Sequence, residues 1–311
     1  MGISRNILLW ASRNEWLRSR VPKMKFVQKA VKRFMPGESV EEAILATREL
    51  FKHNIPTTFT HLGENITTIK EAEINTQHYI DLLDRIKKED LDIEISLKLT
   101  HIGFDLSIDK TLELFSRIAE KAGTLNNNVF IDIEDSSYAD KTINFYKKIK
   151  EQYNNVGLCL QAYLYRTMAD LKGMIDINPC IRLVKGAYKE PSTVAFPRIS
   201  QVDENYLYLS NYLLEQMKDK GTRARAAFGT HDLLIQEHIK NEANRIGLAK
   251  KNLEFQMLYG IKTSEQYKLA SDGYRIRTLI SYGDHWYPWY MRRLAERPAN
   301  VWFVLKNIIN N

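Results

Sequence analysis

The sequence predicts an α/β fold, a (β/α)8 barrel of the TIM type with an N-terminal helical extension. Three observations predict it. From about residue 54 onward, short runs rich in β-forming residues alternate with amphipathic helical stretches, and the alternation repeats eight times. Each run closes on polar or aromatic residues, the pattern expected where barrel strands end at a shared mouth. No G-x-G-x-x-G follows the first run. That disfavours the alternative, an open doubly wound sheet with a dinucleotide site in its first turn.

The elements follow in order. Residues 1–33 carry nine Lys or Arg and one acid, Glu15, interleaved with Ile7, Leu8, Leu9, Trp10, Trp16, Leu17, Phe26 and Val27. This basic amphipathic segment is no signal peptide, because its apolar core is short and no small-residue cleavage site follows. Two readings stand for it: a helical cap packed on the main domain, and reversible contact with an anionic membrane surface. The extension is taken as 1–53 and the catalytic barrel as 54–311, with no Pro/Gly/Ser-rich linker between them. Strands are predicted at 56–60, 91–99, 128–133, 156–162, 180–185, 225–229, 253–258 and 275–281. Helices are predicted near 68–88, 108–122, 138–153, 166–173, 202–220, 232–247 and 263–271. A last helix opens near Trp289 and stops before Pro298.

Composition narrows the function classes. A chain of 311 residues, 44% apolar and 27% charged, is an ordinary globular protein rather than a disordered or fibrous one. The net charge of +7 is concentrated in residues 1–33, which argues against nucleic acid as partner of the main domain. No apolar run reaches membrane-spanning length. Cys159 and Cys180 both lie in apolar segments and read as buried core thiols, which suits a reducing cytoplasm.

Chemistry is expected at the strand ends. They supply Thr60-His61, Lys98 to Thr100, Asp132 to Asp135, Gln161 to Tyr163, Arg182 to Tyr188, Thr230 to Asp232 and Gln256 to Gly260. A charge inside a barrel costs several kcal/mol unless paired, so Lys98, Asp132, Arg182 and Lys185 imply one another or a bound anion. Gly186 and Ala187 leave room for a large ligand near the backbone. In the last helix, Glu296 follows Arg292 and Arg293 by four and three residues, so it can hold one guanidinium while the other meets an exogenous carboxylate. Tyr282, Trp286, Tyr287, Trp289 and Tyr290 read as a lid over a planar cofactor and a small apolar ring. No nucleophile triad, P-loop or metal-spaced His/Cys cluster stands out, so no metal is expected. A bulky, anionic, planar cofactor such as a flavin dinucleotide suits these ends. A lyase using Lys98 or Lys185 as a Schiff base is the alternative enzyme.

The segments Ile95 to Leu99, Phe130 to Asp135, Leu160 to Arg166, Arg182 to Tyr188, Gly229 to Asp232 and Arg292 to Glu296, in this order, resemble the proline dehydrogenase family, in particular its short monofunctional bacterial members. The resemblance covers roughly residue 40 onward. It implies a distorted (β/α)8 barrel holding non-covalent FAD, and oxidation of L-proline to Δ1-pyrroline-5-carboxylate with electrons passed to a membrane quinone. It further implies that Lys98, Arg292 and Arg293 bind the proline carboxylate, that Asp132 sits between them, and that Glu296 anchors an arginine. Arg182 would lie near flavin N5. Ile133, Gln161, Lys185, Gly186, Ala187, Thr230 and His231 would contact FAD, and Tyr188 and Leu258 would wall the proline ring. Two positions depart from the family pattern: Leu279 and Trp289 stand where many members carry tyrosine.

Overall fold

The computed structural model describes residues 8, 10–11, 14–63, 66–218 and 224–296. Ile7, Leu9, Pro298 and the side chain of Glu296 lie outside the described residues. Eight parallel strands close into a barrel in sequence order. They are β1 (Thr57–His61), β2 (Ile93–Lys98), β3 (Val129–Asp132), β4 (Val156–Gln161), β5 (Cys180–Val184), β6 (Arg225–Gly229), β7 (Glu254–Leu258) and β8 (Arg275–Tyr282). β8 pairs with β1, setting Thr57 beside Thr278 and His61 beside Tyr282. The strands begin and end within two residues of the predicted bounds.

Between strands run α4 (Ile69–Glu89), α5 (Ile108–Thr124), α6 (Ala139–Lys150), α7 (Thr167–Lys172), α8 (Ile199–Lys218), α9 (Leu233–Arg245) and α10 (Thr263–Ser271). Before the barrel come α1 (Glu15–Arg20), α2 (Lys25–Val31) and α3 (Val40–Phe51); α11 (Trp286–Glu296) follows β8. Local chemistry explains the helices. α4 starts at a reciprocal Thr68–Glu71 capping box and ends where Asp90 turns left-handed, with φ 53°. Its Ala72, Thr76, Tyr79, Leu82, Leu83 and Ile86 recur at helical spacing and are buried against the barrel. Strands alternate instead. In β2, Ile93, Ile95 and Leu97 join the apolar shell, while Glu94 and Ser96 reach across the barrel to Arg225 and Arg182.

The apolar residues form two main bodies. The larger joins the barrel to its helices and includes Ala43, Ile44 and Leu50 of α3. The Thr47 and Thr57 hydroxyls, 3.1 Å apart, tie α3 to β1. α3 thus packs against the barrel at β1. The second body joins Leu8, Val27, Val31 and Met35 of the extension to Trp286, Tyr287, Trp289, Tyr290 and Leu294 of α11.

That second body corrects the expected aromatic lid. The α11 aromatics are the seat of the N-terminal segment, and Trp286 also donates its indole N–H to Glu38 at 2.9 Å. Tyr282 belongs to the larger body. An amphipathic segment must bury its apolar stripe somewhere, and the aromatic face of α11 offers the area. The seat extends to the end of β7, where Gly260 (φ 71°) lies so close to the Arg33 carbonyl that a Cβ would sit 1.6 Å from the oxygen.

Candidate active site

Most strand residues are buried, and exposure rises where the strands finish. Lys98, Asp132, Lys185 to Tyr188, His231, Leu258 and Leu279 are half-buried, and Arg292 and Arg293 of α11 are half-buried too. Parallel pairing puts Lys98 beside Asp132 and Leu258 beside Leu279. Leu279, one of the two departures, therefore stands next to a residue expected to wall the substrate. Trp289, the other, is buried in the seat of the extension. The Arg292 guanidinium stacks 5.6 Å from the Tyr188 ring centroid, so two expected substrate residues meet.

Deeper in, Arg182 pairs with Asp132. Arg182 is 3% exposed and its Nη1 donates to Asp132 Oδ1 at 2.8 Å. Ser96 donates its hydroxyl to the same oxygen at 2.7 Å. Burying a guanidinium this deeply is tolerable only with such partners. Cys159 lies beside this pair, and burial, only partly offset by Arg182, pushes its thiol up to about 12. It is therefore a neutral packing residue.

The Gln161 amide N–H donates to the Glu134 carbonyl at 3.1 Å, while its oxygen is buried with no partner among the described residues. Ile133, adjacent to Glu134 in sequence, is buried. The Leu258 amide donates to His231 Nε2 at 2.9 Å, which makes that nitrogen an acceptor and puts the ring proton on Nδ1. Thr230 accepts the Asp232 amide at 3.1 Å. Of the charges expected to pair with one another or with a bound anion, Lys185 does not join Asp132. It reaches Asp203 at 2.6 Å and Asp232 at 2.9 Å. Burial works against the Asp232 carboxylate, but Lys185 and two amides of α9 hold it below its ordinary range. Gly186 has φ 114°, and a Cβ there would strike the Tyr163 ring at 2.3 Å. Backbone conformation and Tyr163 require this glycine without any ligand.

The partnering roles of Ser96, Asp203 and the charges at the strand starts are not read from the sequence, and Gln256, expected only as a strand-end residue, turns out to hold Arg182. At those starts Arg225 meets Glu94 at 2.6 Å and Glu254 at 2.8 Å, and Arg277 meets Asp92 at 2.9 Å and Glu94 at 3.3 Å. The signal was there, in the period-two polar residues of Ile93-Glu94-Ile95-Ser96-Leu97-Lys98 and Glu254-Phe255-Gln256. Among the described residues no group of three or more His, Cys, Asp or Glu is arranged to hold a metal ion.

Comparison with known proteins places the chain in a family. The profile of the family described as "Proline dehydrogenase" matches residues 43–306. Proline dehydrogenase 1 of Bacillus subtilis subsp. natto is 37% identical over 305 residues, covering 98% of this chain and 99% of that one. Proline dehydrogenase of Deinococcus radiodurans is 35% identical, covering 89% of each. Among solved structures, proline utilization A from Bdellovibrio bacteriovorus, inactivated by N-propargylglycine, superposes with a TM-score of 0.80 at 22% identity. That match covers 93% of this chain and 38% of the longer one, and it speaks for the barrel fold. The near-full-length matches, together with the profile over most of the barrel, show that this chain belongs to the proline dehydrogenase family.

Proposed function

We propose that this chain is an FAD-dependent proline dehydrogenase that oxidises L-proline to Δ1-pyrroline-5-carboxylate, the first step of proline catabolism toward glutamate. Non-covalently bound FAD would supply the two-electron oxidant for the proline C5 hydride, with N5 as acceptor, while the proline nitrogen gives up its proton, and a membrane quinone would take the electrons onward. The observation that carries the reading is a donor and an acceptor among the buried, partnerless polar atoms, Arg182 Nη2 from the middle of β5 and Gln161 Oε1 from the end of the neighbouring β4. Buried polar groups are almost always satisfied, so a donor and an acceptor left in this way fit a polar cofactor ring.

In this reading Arg182, Gln161, Lys185, Gly186, Ala187, Thr230, His231 and the Ile133 backbone hold FAD. Lys98, Arg292 and Arg293 hold the proline carboxylate, and Glu296 steadies an arginine. Asp132 balances the positive charge around the substrate. Tyr188 and Leu258 enclose the ring. The clamp orients the substrate, and the buried Arg182 cation stabilises negative charge as electrons arrive. Purified protein should be yellow, with flavin absorption bleached by L-proline in the absence of oxygen. A colourless protein that never reduces a dye with proline would sink the reading.

The division into extension 1–53 and barrel 54–311 belongs to the same proposal. So do a cytoplasmic location and weak contact of residues 1–33 with the inner face of the membrane, where a lipid-soluble acceptor resides. Among the described residues no helix is long and apolar enough to cross a membrane. Trp10 and Trp16, 61% and 63% exposed, are suited to an interface. Replacing both exposed rings, Trp10→Ser with Trp16→Ser, should weaken salt-reversible sedimentation with anionic vesicles while the dye assay persists. If intact protein stays in the supernatant at low salt, the extension is a cap alone.

A further inference from the structure

Arg182 has five N–H bonds to place. Nε–H donates to Gln256 Oε1 at 2.6 Å. Nη1 donates to Ser96 Oγ at 3.0 Å and to Asp132 Oδ1 at 2.8 Å. The flat face of the group lies 4.4 Å from the Phe130 ring centroid. Nη2 is what remains, buried and without a partner among the described residues. The direction of these last two donors is therefore set by what grips the other edges.

Gln256 is gripped in turn. Its Nε2 donates to Glu254 Oε1 at 2.8 Å, and an ionised carboxylate can only accept. A guanidinium can only donate. An amide held between the two has one orientation, nitrogen toward Glu254 and oxygen toward Arg182. Glu254 is itself held at 2.8 Å by Arg225, so the sequence Arg225, Glu254, Gln256, Arg182 climbs the barrel interior as one connected chain.

We propose that Gln256 is a positioning residue for the reaction: it carries the orientation of the buried ion network to Arg182 and leaves Nη2 as the edge free for the cofactor. An apolar side chain at 256 would release the Nε edge, and the guanidinium could pivot about its Nη1 contacts. The proposal rests on the flavin reading for what Nη2 meets, though not for the orientation itself.

Two measurements test it. Arg182 Nε–H exchange, followed by NMR and assigned through its loss in Arg182→Lys, reports the orientation with or without flavin. In Gln256→Met we expect that exchange to accelerate at least about tenfold as protection is lost. The midpoint potential of bound flavin should fall in Gln256→Met by about 30 mV, a tenfold change for a two-electron couple. Turnover should drop about tenfold with proline KM within about threefold, the pattern of a loss felt in the transition state. Should Gln256→Met fail to fold, Gln256→Asn, whose carbonyl stops one carbon short, carries the same expectations. Wild-type exchange and potential in the apolar or shortened variant would overturn the proposal. A wild-type protein that never takes up flavin would instead overturn the flavin reading, and the exchange measurement would still decide the orientation.

Discussion

Where the barrel strands begin, Arg225 and Arg277 are matched against Glu94, Glu254 and Asp92 in ion pairs that cross the interior. Where the strands finish, Arg182 and Gln161 each keep a buried polar atom without a partner among the described residues. The same chemical groups, two or more residues further along their strands, serve different ends. At the starts the charges face one another in a connected set of ion pairs, although Arg277 Nε, 3.3 Å from Glu94, makes no hydrogen bond among the described residues. At the finishes Arg182 Nη2 and Gln161 Oε1 have neither an ion-pair nor a hydrogen-bond partner among the described residues, as the proposed cofactor contact requires. On that proposal, stability and chemistry would be separated along one axis of the barrel.

The largest expected effect would come from breaking the closed end. Burial alone would raise the Glu94 carboxyl, but Arg277 and Arg225 override it and hold the group well below the usual carboxylate range. Glu94→Ala would leave buried guanidiniums short of a partner and should cost about 3–5 kcal/mol of stability. Denaturant unfolding reads the loss, and proline KM in the folded fraction should stay unchanged. A variant of wild-type stability would dissolve the contrast between the two ends.

At the open end the loss should fall on binding instead. Arg292→Met and Arg293→Met should each remove about 2–5 kcal/mol of proline binding, the range for truncating one side of a desolvated charge pair. Bound flavin and unfolding midpoints should barely move. A normal KM in either variant removes that arginine from the clamp. Asp132→Ala, taking the 21%-exposed partner of Arg182, should lower catalytic efficiency at least about a hundredfold. Unchanged turnover in a flavin-loaded variant would take Asp132 out of the site.

Acid sharpens the comparison further. His61 of β1 and His78 of α4 pack on Tyr282 of β8, whose hydroxyl lies 2.7 Å from His78 Nε2, and His101, just after β2, packs on His61. Burial foremost, then neighbouring His78, pulls His61 from 6.5 down to about 4. Burial and His61 pull His101 to about 3. These rings are neutral when folded and take protons more readily once unfolded. Their contribution is therefore complete above pH 6.5 and is lost as pH falls toward 4. At about 1.4 kcal/mol per unit, the loss from His61 amounts to roughly 2–3 kcal/mol. Glu94 keeps its charge across that window, so the closed end should outlast the β1–β8 edge. Melting temperatures from pH 7 to 4 should slope less in His61→Phe, and an identical slope would assign the acid sensitivity elsewhere.

Much of this molecule is written locally. Period-two alternation in β2 and β7, capping residues such as Thr68 and Glu71, and the spacing of buried positions in α4 depend on near neighbours, and they carry the barrel in the sequence alone. The strand-end residues were legible for the same reason, since a strand's direction fixes which of its residues reach the mouth. Partnership was not legible. Lys185 has Asp132 among its strand-end candidates, yet α8 and the start of α9 bring Asp203 and Asp232 to it instead. The aromatics of α11 looked like a lid because their number is visible in the sequence while their direction is not. They face the extension, since residues far away in the chain needed an apolar seat. Gln256 was one polar residue among many until β7 set it between Glu254 and Arg182. Sequence by itself determined where polar groups would gather, through periodicity and hydrophobic burial. Only the closed barrel decided which of them meet, because those contacts span strands brought together by folding rather than by the chain.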